Sequence, residues 1–263
     1  MSFNNDKFSW EIMNYLLEMD YVYDKAYEGV YDWLNLCTNI KTVDFYTGKY
    51  DESLLYCGRA WDYVSDQTDI WKVLNVKLVQ FNYAWCALES IVECQVDECL
   101  ISNCGKINAA CLELKEKLQI SDTPEMYLSM YLDMVDKLKN MPQFEKDLER
   151  LGITAEHLFP NKNCANETGA GMLVTYKIRN KLAHGSWRFP EPVESDFDVV
   201  SDVSKIIDYA ISMVLFSIVM LLIVDCVTFD DVIDDATYCL NIVGKRPTEY
   251  LKKLYQTISL NEE

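Results

Sequence analysis

Residues 169–188 read Gly-Ala-Gly-Met-Leu-Val-Thr-Tyr-Lys-Ile-Arg-Asn-Lys-Leu-Ala-His-Gly-Ser-Trp-Arg. On a wheel at about 100° per residue, Val174, Ile178 and Leu182 fall on one narrow apolar stripe, the pattern of a helix laid on a core. Gly185 stops that helix. Asn180 and His184 lie one turn apart and nearly opposite the stripe, so they point away from the core and can hydrogen-bond to each other as an i, i+4 pair. Leu173 and Tyr176 share the outward face, which suggests contact with another surface. Arg179 stands about 140° around the helix from His184. Two routes then complete a site: the helix unwinds near Gly185, or a second copy meets it across a two-fold axis.

Working outward, the chain reads as helices. Upstream, residues 142–151 form a helix ending at Gly152, Thr154 starts a short turn ending at Pro160, and an Asn/Gly-rich segment (161–169) leads into the motif helix. Before these, Ser121–Thr123 and Pro124 open a helix that runs to about Asn140, and residues 106–118 form another. From Asp69 to Asn103, Trp71, Leu74, Leu78, Phe81, Trp85, Leu88 and Val92 follow spacings of three and four. Residues 51–65 predict a further helix, a polar break at Thr47-Gly48-Lys49 a turn between two short extended pieces, and residues 6–40 one long aromatic-rich helix. Downstream, a loop with Pro190 and Pro192 precedes a long helix from Asp196 to Val227. Its apolar run, Tyr209–Val224, is 16 residues, short of the ~20 that span a bilayer core and without basic residues at its flanks. A buried central helix is the reading. Thr248 caps a last helix to Ser259. The fold class is all-α, with residues 1–66 as an N-terminal helical segment packed on a domain of residues 67–263, or with both as one continuous domain.

Nine glycines and six prolines leave few breaks in 263 residues. The net charge of −18 opposes any broad nucleic-acid surface or membrane contact. Ten cysteines occur without a Cys-x-x-Cys pair, beside only two histidines and behind a polar N-terminus. They read as reduced thiols of a cytoplasmic protein, and no metal or other cofactor is expected.

Against this acidic background, Lys162 to Arg188 carries Lys162, Lys177, Arg179, Lys181 and Arg188 against Glu167 alone, whereas Phe189 to Asp235 carries eleven acids and only Lys205. A focused basic cleft in a repulsive molecule would admit RNA only at the motif. An imidazole near neutrality suits proton transfer at a ribose hydroxyl, and a guanidinium offers a planar fork to phosphate. His184 and Arg179 are therefore the candidate catalytic pair with Asn180, and Lys177, Lys181 and Arg188 are candidate substrate contacts. Trp187 either stacks a base or packs internally. A purely structural reading stays open: a histidine often ends a helix, an arginine often pairs on a surface, and glycine is an ordinary stop.

The run Ile178-Arg179-Asn180-Lys181-Leu182-Ala183-His184-Gly185 closely resembles the signature of the HEPN superfamily, an Arg, usually a polar residue, and a His four to six positions on. The resemblance implies an up-and-down helical bundle, here with additional N-terminal helices. It also implies a homodimer through the motif helix, acting as a metal-independent endoribonuclease, often a toxin or part of defence against phage. Arg179 would then stabilise the scissile phosphate, Asn180 would orient the site and His184 would do acid–base work. Glu89, in Trp85-Cys86-Ala87-Leu88-Glu89, would support the motif from the neighbouring helix. RNA is the implied substrate, with an antitoxin or regulatory protein as a further partner. Antitoxin-modified members often carry Tyr two positions after the His, where this chain has Ser186. The alternative is a non-catalytic helical interaction or nucleotide-sensing module using the same surface.

Overall fold

A helix that is apolar on every side has no face to give to water and is driven to the centre. Phe197–Cys226 takes that place in the computed structural model of the chain, which describes residues 3–23, 27–44, 48, 57–187, 189–191, 197–226 and 246–259. In order the helices are α1 (Asn5–Tyr23), α2 (Glu28–Asn39), α3 (Gly58–Gln95), α4 (Glu98–Cys104), α5 (Lys106–Lys117), α6 (Glu125–Lys139), α7 (Glu145–Leu151), α8 (Glu167–Ala183), α9 (Phe197–Cys226) and α10 (Pro247–Ser259). No strand occurs among the described residues, and the all-α expectation holds.

Around α9 stand α1, α3, α5, α6, α8 and α10. From Ala210 to Leu222 its side chains are buried. Ser212 and Ser217 enter the core by donating their hydroxyls to the carbonyls of Asp208 and Met213, at 2.9 and 2.7 Å, which removes the cost of burying them. The stretch Ser201–Asp225 has the length and hydropathy of a membrane span, but 89 % of its apolar window is buried inside the protein.

Several element boundaries differ from the sequence reading. The helix expected over 6–40 is two helices, α1 ending at Tyr23 and α2 beginning at Glu28, packed on each other. The separate helices expected over 51–65 and from Asp69 are one: α3 runs unbroken from Gly58 to Gln95. The polar run Ser65–Asp69 does not stop it, and Thr68 within that run satisfies its hydroxyl on the Val64 carbonyl at 2.7 Å. The break comes instead at Val96–Asp97, where the Asp97 carboxylate accepts from the backbone N–H groups of Cys99 and Leu100 and starts α4. Thr248 lies inside the first turn of α10, which begins at Pro247. The expected turn at Thr47-Gly48-Lys49 and residues 51–56 fall outside the described residues, Gly48 apart.

Residue 66 lies within α3. Phe8, Ile12 and Leu34 of α1 and α2 belong to the same apolar core as Met172 of α8 and Phe216 of α9.

Candidate functional site

The motif helix α8 is seated by its first half. The Asn166 side chain caps it, accepting from the Thr168 N–H at 3.2 Å. Two glycines then let it approach its neighbours closely. A Cβ on Gly169 would lie 3.1 Å from the Cys111 thiol of α5, and one on Gly171 would lie 2.6 Å from Met213 Sδ and 2.7 Å from Tyr127 Oη. The Tyr127 hydroxyl accepts from the Gly171 N–H at 2.7 Å and donates to the Thr168 carbonyl at 3.1 Å, stitching α6 to α8. Burial pushes its pKa well above that of an ordinary phenol.

Closure on several sides explains one departure from the wheel. Val174 and Ile178 are buried as expected, but Leu173, expected outward, is buried too. The single-faced wheel fails here because α5, α6 and α9 all touch α8. Tyr176 keeps 36 % of its surface and stacks on Trp85 of α3, rings 6.0 Å apart at 17°. The buried Trp85 indole in turn donates to Glu89 at 2.7 Å. Glu89 is thus linked to α8 through the Trp85–Tyr176 stack. Cys86 lies between the two helices; burial raises its thiol pKa, Glu89 adds to the rise and Arg179 opposes it.

The last two turns of α8 carry the candidate chemistry. Arg179 is half-buried and lines a cleft of about 290 Å³ with Leu78, Phe81 and Asn82 of α3, Leu182 and Ala183 of its own helix, and Phe189. It makes no ion pair with any described residue. Asn180 is half-buried and His184 exposed. The bond that joins them runs between backbones, His184 N–H to the Asn180 carbonyl at 3.0 Å; the expected side-chain pair does not form. The helix stays regular past Arg179 and closes on a Schellman motif. Gly185 at φ 61° donates to the Leu182 carbonyl at 3.1 Å, and Ser186 to that of Lys181 at 2.9 Å. Unwinding near Gly185 therefore does not bring His184 round to Arg179.

Two of the expected substrate contacts are otherwise engaged. The Lys181 ammonium pairs with Asp147 of α7 at 3.0 Å, both side chains largely buried, so it is turned from the cleft. Trp187 keeps 4 % of its surface and meets Phe144 edge-on at 5.1 Å; it packs, and its faces are not available to stack a base. Lys177 is half-buried beside the Tyr176 ring. Arg188 lies outside the described residues.

Phe189 and Asn82 were not foreseen as site residues. Phe189 could have been noticed as an aromatic just past the helix stop; nothing local marks Asn82, which joins the cleft by the packing of α3 beside α8. As it stands, one chain offers a guanidinium aimed into a cleft and an imidazole exposed on another face of the same helix. The first can bind an anion and the second can exchange a proton with whatever approaches it. No protein-family model matches the chain, and neither a curated protein nor a solved structure does so.

Proposed function

We propose that this protein is a metal-independent endoribonuclease of HEPN type, cutting RNA by attack of a 2′-hydroxyl on the adjacent phosphorus. The observation that carries the reading is Arg179: a half-buried guanidinium with no carboxylate partner among the described residues, in a chain with 18 surplus negative charges. A cation left unpaired in such surroundings is one held for an incoming anion. His184, exposed at the helix end, takes the 2′-hydroxyl proton as the 2′-oxygen bonds to phosphorus. The bond from phosphorus to the 5′-oxygen breaks, and that oxygen takes a proton from the partner subunit's His184. Arg179 stabilises the pentavalent phosphate, and Asn180 orients the site. A cyclic phosphate and a 5′-hydroxyl result.

The separation of Arg179 from His184 within one chain is why the reading needs a homodimer, with two copies of α8 facing one another. In the cytoplasm, such an activity fits a toxin or anti-phage role held in check by an antitoxin or regulatory protein. Purified protein should cut RNA in EDTA and leave cyclic-phosphate or 3′-phosphate ends. His184→Ala and Arg179→Ala should each abolish cutting with the helical circular-dichroism signal intact. Induced expression should arrest growth for the wild type and not for His184→Ala. Protein that cuts nothing, with both variants matching wild type in cells, removes the enzyme reading.

That same separation favours a second reading, a non-catalytic helical interaction or nucleotide-sensing module on this surface. It predicts a complex weakened by Tyr176→Ala and indifferent to His184→Gln.

A further inference from the structure

The cleft beside Arg179 is built unlike a plain phosphate site. Its walls are largely apolar, Leu78 and Phe81 from α3, Leu182 and Ala183 from α8, and Phe189, with two polar groups, Arg179 and Asn82. Asn82 is exposed, and its amide has no hydrogen-bond partner among the described residues. Phe189 keeps 36 % of its surface and is backed edge-on by Trp71, 6.4 Å away. A second cavity of about 210 Å³, lined by Trp71, Leu74 and Asn75, shares Leu78 and Phe189 with the first. The aromatic ring thus stands between two small apolar compartments. Asn75 and Asn82 are seven residues apart, about 20° on the wheel, so α3 offers one amide to each.

We infer that this cleft is a nucleobase pocket for single-stranded RNA: Phe189 stacks a base, Asn82 reads its polar edge, and Arg179 takes the attached phosphate. The inference rests on the ribonuclease reading for its biological role, but not for its binding chemistry. A volume near 290 Å³ is at the lower end of small-molecule sites and suits one nucleotide unit. Apolar walls with an exposed aromatic favour an unstacked base over a duplex, whose bases are already stacked and paired. The lone guanidinium supplies the charge complement to the phosphate that such a base carries. In a molecule this acidic, base stacking also supplies attraction that a repulsive surface cannot.

The test uses the full chain and eight-residue 2′-O-methyl oligonucleotides, which lack the attacking hydroxyl, so binding is read without cleavage. Fluorescence anisotropy compares a single strand, the same sequence as a duplex, and an abasic backbone of equal length. The single strand should bind at least roughly tenfold more tightly than either of the others, given the usual strength of aromatic–base stacking. Phe189→Ala should erase that advantage, Phe189→Tyr should keep it, Arg179→Ala should weaken all three ligands, and Asn82→Ala should change the ranking of the four homopolymers. Both Phe189 and Asn82 are exposed, so these variants keep the core. Single strand and abasic backbone binding equally, or Phe189→Ala retaining the advantage, overturns the pocket. If the pocket binds as described yet the protein cuts no RNA, the pocket stands and the ribonuclease reading falls. His184-dependent cutting without any preference for bases leaves the ribonuclease reading and overturns the pocket.

Discussion

Arg179 and Lys181 sit two residues apart on one helix and have opposite fates, because Asp147 reaches one and no described carboxylate reaches the other. That difference makes a direct prediction. Lys181→Ala should lower stability by about 1 kcal/mol, since a largely buried ion pair is lost, while leaving RNA affinity unchanged. Lys177→Ala should do the reverse, weakening RNA binding with no shift in melting temperature. Equal losses of RNA affinity in the two variants would contradict the assignment. A second residue reports through pH. Burial holds the Asp208 carboxyl above the usual aspartate range, with Lys77, its ion-pair partner, pulling the other way. The folded state therefore grips this proton more tightly than the unfolded chain does. The resulting stabilisation is complete below the ordinary aspartate value of about 4 and is lost as pH rises through the raised value. Urea unfolding of wild type and Asp208→Asn across about pH 3.5 to 7 should show wild type losing ground to the variant as pH rises through that window. The effect is modest, because the side chain keeps 41 % of its surface. A difference that moves the other way would mean that the ion pair dominates.

At the scale of the element, α8 is a helix whose seat is fixed by absent side chains. Gly171→Ala would drive a methyl to within 2.6 Å of Met213 Sδ and 2.7 Å of Tyr127 Oη, so a loss of about 1–3 kcal/mol is expected from overpacking. Tyr127→Phe spares the volume but removes the hydroxyl that bridges the Gly171 N–H and the Thr168 carbonyl, a loss of about 0.5–1.5 kcal/mol. Because both act on the same contact, the double variant should lose less than the sum, and a double-mutant cycle by urea unfolding checks this. Part of this helix was legible from the letters alone: most of its span, its glycine stop, and the burial of Val174 and Ile178. The capped start of α4 was not read, because the apolar spacing runs on past Asp97 even though Asp97 is a standard capping type. What could not be read was whatever depends on distant partners. Asp147 is 34 positions from Lys181, Phe144 is 43 from Trp187, and the cleft pairs Asn82 with a residue 97 positions on. Local spacing sees one helix at a time, and these contacts exist only once the helices are packed.

For the whole molecule the deciding feature is that α9 draws on nearly every other helix. A division at residue 66 would cut off the first nine residues of α3 and remove the core side chains Phe8, Ile12, Leu16 and Leu34. The fragment 67–263 should therefore lack a cooperative unfolding transition and bind a hydrophobic dye, and a sharp two-state melt would show that the N-terminal helices are dispensable.

The central position of α9 also orders events during synthesis. Its partners α1, α3, α5, α6 and α8 all leave the ribosome before it does, and translation runs at about 5–20 residues per second. Until Ser201–Asp225 emerges, those helices have no common core to close upon. For about 3 to 30 seconds, by that rate and depending on the side chain, the nascent chain presents Trp85, Tyr127 and the Gly169–Gly171 seat to chaperones instead of to α9. Whatever chemistry α8 performs is thus withheld until α9 has been made and has closed upon it.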